Sequence, residues 1–305
     1  MYQTAKEWAE ACARLQKTVA EVVYEEECER QNLPSGDVSV RAQLSDYLKV
    51  MKNAAERCLT EVVPSVSGLS GGDAKRLYDY LLAGETVCGS EFLLSVAYAL
   101  STSEVNASMG LIVASPTAGA SGILPGALLG VAKRRNITDV RLLTDALLVA
   151  AGIGQIIEAN ATLSGAEGGC QAECGSAAAM AAGAVTFLCG GTTQQIFDAA
   201  AMALKNVLGL VCDPIAGLVE CPCIKRNASG AANALLSADL ALAGIRSIVP
   251  FDEVVEAMAR IGSSIAPELR ETALGGLAKT PTGKEIKRKL FEKKQNPFEG
   301  EGEIK

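Results

Sequence analysis

The sequence predicts an all-α fold: a large helical domain with cysteine-bearing loops. Three observations carry this. Apolar residues recur at three-four spacing over long stretches, few segments alternate with period two, and the breaks between helical stretches are rich in Gly, Pro, Ser and Thr. At 305 residues, 49% of them hydrophobic, the chain buries about three quarters of its unfolded surface. It needs no disulfide or metal merely to own a core.

In chain order, "MYQTAKEWAEACARLQ" reads as an amphipathic helix, without the basic start and apolar centre of a signal peptide. Segment 41–62 puts Leu44, Tyr47, Leu48, Met51, Ala55, Cys58, Leu59 and Val62 on one face, and Pro64 ends it. Cys12, Cys28 and Cys58 belong to these helices and read as core residues. "SVSGLSGGDAKRLYDYLLAG" then supplies a Gly-rich loop, with Asp73 placed as a helix cap. Backbone N–H groups in such a loop suit an anionic ligand. A helix near 90–102 leads into "SEVNASMGLIVASPTAGASGILPGALLGVAKRR", a long connection whose small residues around Pro116–Gly119 let a backbone approach a ligand.

Helical pattern returns over 138–160, breaks at "SGAEGGCQAECG", and resumes over 176–189. Thr192 and Thr193 cap a helix whose Ile196, Phe197, Ala200, Leu204, Val207 and Leu208 share a face. "GLVCDPIAGLVECPCIKRNASG" is a second loop, because Pro214 and Pro222 forbid a regular helix. Helices over 231–244 and 251–275 close the core. Boundaries follow: 1–64 is an N-terminal helical segment packed on the core, 65–285 the main domain, and 286–305 a charged, helical or frayed tail. No internal repeat of solenoid period is present.

Net charge −7 and pI near 5.0 argue against nucleic acid or an anionic membrane as partner. The basic run "KEIKRKLFEKK" is interspersed with Glu and reads as a solvated helix face. Two charge-free stretches, Val105 to Ala132 and Cys174 to Phe197, exceed the roughly 20 residues of a membrane span. Pro116, Pro125 and many Gly, Ser and Thr argue against insertion, so the expectation is no membrane. The chain has no histidine, which removes the usual neutral-pH base and the commonest metal ligand. Ten cysteines without a signal sequence point to a reducing cytoplasm, where thiols fill cores, catalyse or bind metal.

Five thiols fall in the two loops: Cys170 and Cys174, then Cys212, Cys221 and Cys223. Clusters beside glycines, in a chain without histidine, suit a metal better than packing. Cys170, Cys174, Cys221 and Cys223 form a possible zinc set, although their spacing is not that of a zinc knuckle. An iron–sulfur cluster is the other possibility. Held by three thiolates, it keeps one iron open as a Lewis acid that helps a hydroxyl leave a small substrate.

The blocks "SGLSGGDA", "NASMGLIVASPTAGASGILPG", "NATLSGAEGGCQAECGSAAAMAAG", "LGLVCDPIAGLVECPCIKRNASGAANA" and "LRETALGGLAKTPTG" together resemble the α chain of the iron–sulfur-dependent bacterial L-serine dehydratase, or L-serine ammonia-lyase. The resemblance implies an oxygen-sensitive enzyme with a 4Fe-4S cluster that converts L-serine to pyruvate and ammonia. Residues 65–285 are then its iron–sulfur catalytic domain. The family's cluster motifs correspond to Cys170, Cys212 and Cys223. Cys174 and Cys221 stand where the family pattern has valine, which makes them neighbours of the cluster and leaves a local ligand swap open.

The resemblance further implies that Thr117, Ser164 and Asn106, with Gly119, Ser67, Gly71 and Gly72, cradle the substrate carboxylate and amine. It places Lys225 and Arg226 where they stabilise the negatively charged cluster. The catalytic base is expected from a Ser-Ser-His motif of the β chain, so this chain is expected to work in a hetero-oligomer. Two rival readings remain. A pyridoxal-phosphate dehydratase would use Lys225 of "CIKRNASG", but that chemistry comes with alternating strands and helices. A non-catalytic zinc or redox protein leaves the small-residue loops without a role.

Overall fold

The computed structural model describes residues 2–34 and 37–295. Among them the regular structure is helical, with one parallel bridge between Cys212 and Arg270. The helices are α1 (Ala5–Leu15), α2 (Val19–Arg30), α3 (Ser39–Thr60), α4 (Asp73–Leu82), α5 (Ser90–Ala107), α6 (Ile123–Arg134), α7 (Val140–Asn160), α8 (Gly165–Gly168), α9 (Ser176–Leu188), α10 (Thr193–Lys205), α11 (Cys223–Leu242), α12 (Phe251–Ser264) and α13 (Pro281–Gln295). Residues 296–305 of the expected tail lie outside the described residues.

Local chemistry starts several helices. Thr4 with Glu7, Thr18 with Glu21 and Thr192 with Gln195 each close a reciprocal capping box, so two otherwise orphaned N–H groups are satisfied at each start. The expected face of α3 buries Leu48, Met51, Ala55, Cys58 and Leu59, whereas Tyr47 and Val62 remain exposed. Cys12 and Cys28 are buried too.

Helix α9 explains its own lack of charge. It packs against α6, α7, α10 and α11, and apart from Phe187 every residue of it is buried. Its Ala and Gly content lets those neighbours approach closely. Helix α7 is long and apolar enough to cross a membrane, yet 67% of its most apolar window is buried inside the protein.

One close approach gives a prediction. Gly152 of α7 faces the fully buried Trp8, and a Cβ there would overlap the indole ring. Gly→Ala in a helix ordinarily gains up to about 1 kcal/mol; here overpacking of about 1–3 kcal/mol opposes it. Gly152→Ala is therefore expected to lower the urea midpoint, which equilibrium unfolding measures.

Three boundaries differ from expectation. Helix α12 stops at Ser264, because Ile265 and Ala266 turn extended ahead of Pro267 and a residue before proline disfavours helix. Helix α11 begins at Cys223, directly after Pro222, so the last part of the expected second loop, residues 223–230, is helical. The connection around Pro116 is shorter than expected, with Pro125 in the first turn of α6, where a missing N–H costs little.

Candidate functional site

Three chain segments meet at one cavity of about 260 Å³. Its walls carry Cys170 and Cys174, Cys212, and Cys223. Thr117, Gly119, Glu173 and Glu271 complete the polar part.

The first wall is a π-helical turn, Gln171–Gly175, between Cys170 and α9. Such turns re-aim side chains and often occur at functional sites. Gln171, fully buried, fixes this one: its amide nitrogen donates to the Gly168 and Met258 carbonyls at 3.0 Å each, and its Oε1 accepts from Gly209 N–H at 2.9 Å. One side chain thus ties the first cysteine turn to α12 and to the approach of the second cysteine segment.

The second wall is Cys212, which makes a short parallel pairing with the segment after α12. Cys212 N–H donates to Leu269 at 2.8 Å, and Glu271 N–H donates to the Cys212 carbonyl at 2.7 Å. That pairing brings Glu271 to the cavity. Next to it, buried Asp213 accepts from Arg226 at 2.9 Å and from Leu277 N–H at 2.8 Å.

The third wall is Cys223 at the start of α11. Asn227, one turn on, donates to the Gly119 carbonyl at 2.7 Å and to the Cys223 carbonyl at 2.9 Å, and accepts from Gly122 N–H at 2.9 Å. The Pro116–Gly119 loop is thereby pinned to the third cysteine. Asn106 supports the same loop by donating to Ala118 at 3.1 Å.

Cavity electrostatics follow from crowding thiols and carboxylates out of water. Burial, with Cys170 and Glu173 nearby, pushes Cys212 far up and Cys223 up to about 12. Cys170 is held below the usual thiol range by its contact with Cys174, 3.4 Å away, against burial and with help from Arg226. Cys174 is correspondingly raised. Burial also raises Glu173, with the Thr117 hydroxyl opposing and Glu271 adding to the rise. Glu173, Cys212 and Glu271 place ligand atoms within 4.8 Å of one another. Gly165 makes room for the pair: a Cβ there would sit 2.5 Å from Glu173 Oε2 and 3.3 Å from Glu271 Oε2.

The remaining expected residues divide. Ser164 precedes Gly165 at the start of α8, half-buried. Ser67, Gly71 and Gly72 do not line the cavity. Ser67 and Ser70 instead donate to buried Glu220 at 2.7 and 2.5 Å. The α4 amides of Asp73 and Ala74 donate to Glu104 at 2.5 and 3.3 Å, so a carboxylate of the chain itself occupies that helix start. Cys221 lies outside the cavity wall, and Lys225 pairs with Asp73 on an exposed face. Glu271, Gln171, Asn227 and Asp213 had no role in the sequence reading. None of the four carried a local signal: Gln171 stands two residues from Glu173, Asn227 follows Lys225 and Arg226, and each reads as an ordinary polar residue of a loop.

A buried set of thiols with adjoining carboxylates, in which burial first and neighbouring charge second raise Cys212, Cys223 and Glu173, defines a helical protein with the donor set of a metal centre. The chain belongs to the serine dehydratase alpha chain family, which it matches over residues 14–278. It is 48% identical to an L-serine dehydratase alpha chain of Peptoniphilus asaccharolyticus, covering 94% of this chain and 98% of that one. A probable L-serine dehydratase alpha chain of Bacillus subtilis is 46% identical, over 95% of this chain and 96% of that one. An L-serine dehydratase of Helicobacter pylori is 38% identical; the match covers 92% of this chain and 62% of that longer protein.

Proposed function

We propose that this chain is the α subunit of an iron–sulfur L-serine dehydratase, an L-serine ammonia-lyase whose cluster is held by Cys170, Cys212 and Cys223. The observation that carries the reading is the convergence of these three thiols, from three separate segments, on one cavity beside two carboxylates. The donor set fits the group: soft sulfur ligands suit iron–sulfur or zinc, and histidine is not needed. When bound, a 4Fe-4S cluster with three protein thiolates supplies Lewis acidity for departure of the serine hydroxyl.

The chain's own residues do the rest. Arg226, largely buried and hydrogen-bonded to Asp213 and the Val211 carbonyl, offsets the negative charge of thiolates that have lost their protons. Thr117 and Gly119 line the same cavity as the thiols, where they orient a small zwitterion. Ser164 precedes Gly165, the residue that leaves room for the Glu173 and Glu271 carboxylates, and Asn106 acts through the loop that it holds. Glu173 and Glu271 receive the α-ammonium group, because no Lys or Arg is paired with either among the described residues. Loss of the α-proton and the hydroxyl leaves an enamine that hydrolyses to pyruvate and ammonia. The proton acceptor comes from a β chain, and the cysteine chemistry suits a reducing cytoplasm.

Glu173→Gln is expected to raise KM for L-serine about 10- to 150-fold, since a hydrogen bond to a charged group is worth about 1.5–3 kcal/mol. Binding of 3-hydroxypropanoate, which lacks the amine, is expected to stay unchanged. Equal loss for both ligands would remove the ammonium role.

The deciding experiment is anaerobic purification with and without a β chain, measuring iron, acid-labile sulfide, zinc and pyruvate. Iron and sulfide with pyruvate formation support the reading. Zinc alone without turnover overturns it. A pyridoxal-phosphate mechanism has no support in the cavity, since Lys225 is paired to Asp73 outside it.

A further inference from the structure

We propose that Cys174 is a resolving thiol, which captures oxidised Cys170 as a Cys170–Cys174 disulfide whenever the metal centre is lost. The inference rests on thiol geometry and stands whether the centre is iron–sulfur or zinc. The two Sγ atoms lie 3.4 Å apart, and among the described residues no other thiol pair is in hydrogen-bonding contact. Cys212 has instead a carboxylate as its nearest such partner, Glu173 at 4.0 Å. A disulfide needs about 2.0 Å, so closure asks Cys170, which directly precedes the π-helical turn, and Cys174 within it to approach by about 1.4 Å, with the cavity beside them to turn in.

Both sulfurs are shielded from bulk solvent, at 2% and 6% residue exposure, but both side chains line the cavity. A small oxidant that reaches the cavity meets them; a large thiol reagent does not. With a peroxide as the oxidant, the Cys170 thiolate attacks the O–O bond, giving the sulfenic acid and releasing hydroxide. Cys174 sulfur then displaces the hydroxyl from Cys170 sulfur; the S–O bond breaks, the S–S bond forms, and water leaves with the Cys174 proton. In sum, two thiols lose two electrons and two protons, and one peroxide becomes two waters. The outcome matters because an unresolved sulfenic acid proceeds to sulfinic acid, which thiols do not reverse. Cys170 in the disulfide is returned to use by a thiol reductant.

The test uses the full chain, stripped of metal by chelation without oxygen, reduced, freed of reductant and treated with one equivalent of hydrogen peroxide. Cleavage after Glu173 falls between the two cysteines and a second cut after Lys205 removes Cys212, so a Cys170 peptide joined to residues 174–205, with fragmentation placing the bond on Cys174, reports this disulfide. The expected result is a joined pair that dithiothreitol separates, with full recovery of iron or zinc uptake. In Cys174→Ser and Cys174→Ala, given a second equivalent because a sulfinic acid consumes two peroxides, the expected result is Cys170 carrying two added oxygens and lasting loss of uptake. A free Cys174 beside oxidised Cys170 in the unmodified chain, or Cys170 joined to Cys212 or Cys223, would overturn the proposal.

Discussion

Changing Cys170, Cys212 or Cys223 singly to Ser is expected to reduce both bound iron and serine turnover by more than about 100-fold, beyond the roughly 10- to 100-fold typical of residues that only support a ligand. The reason lies in the cavity. Burial and mutual repulsion hold Cys212 and Cys223 protonated in the free chain, so the centre forms only if each thiolate repays its deprotonation with a strong metal bond. A serine oxygen is a poorer ligand for this soft centre and holds its proton far more tightly. Cys212 and Cys223 are each the one thiol that their segment brings to the cavity wall, so no neighbour takes over for either. Cys174→Ser and Cys221→Ser are expected to keep the iron, Cys221 because it lies outside the wall and Cys174 because three segments still contribute a thiol each. Iron and sulfide per chain, measured without oxygen, check all five variants. Retention in Cys170→Ser with loss in Cys174→Ser would move the ligand from one end of the π-helical turn to the other.

Much of this was legible in the sequence because helical periodicity is local. The face of α3, the Thr192 cap and the charge-free α9 are written in adjacent residues, and the structure repeats them. Boundaries set by a proline's effect on its predecessor were less legible: α12 ends at Ser264 and not at 275 because Ala266 precedes Pro267. The site was legible as motifs and not as geometry. Cysteine blocks and the Pro116–Gly119 loop announced themselves, whereas the amide of Gln171 and the carboxylate of Glu271 matter only through contacts with residues 38 and 59 positions away, Gly209 and Cys212. The Gly-rich loop before α4 shows how a local signal misses tertiary chemistry. The amides at the start of α4, which it leads into, do face a carboxylate, but Glu104 supplies it.

This chain alone, reconstituted with iron and sulfide, is expected to form pyruvate from L-serine at no more than the background rate. Removing the hydroxyl requires the α-proton to leave as well, and a positioned base contributes about 10²- to 10⁴-fold. The cavity offers few candidates. In the proposed enzyme its thiols are committed to the metal; the chain has no histidine, and Arg226 is held by Asp213. Glu173 and Glu271 are the carboxylates within reach, and one that neutralises the substrate ammonium is placed toward nitrogen and not toward the α-hydrogen. A base from a second chain resolves this, and addition of a β chain is expected to restore turnover by at least the factor a base supplies. The measurement is pyruvate formed per iron–sulfur centre, anaerobically, with and without the second chain. Substantial turnover by this chain alone would transfer the proton to one of its own carboxylates, and Glu173→Gln would then have to abolish kcat and not merely raise KM.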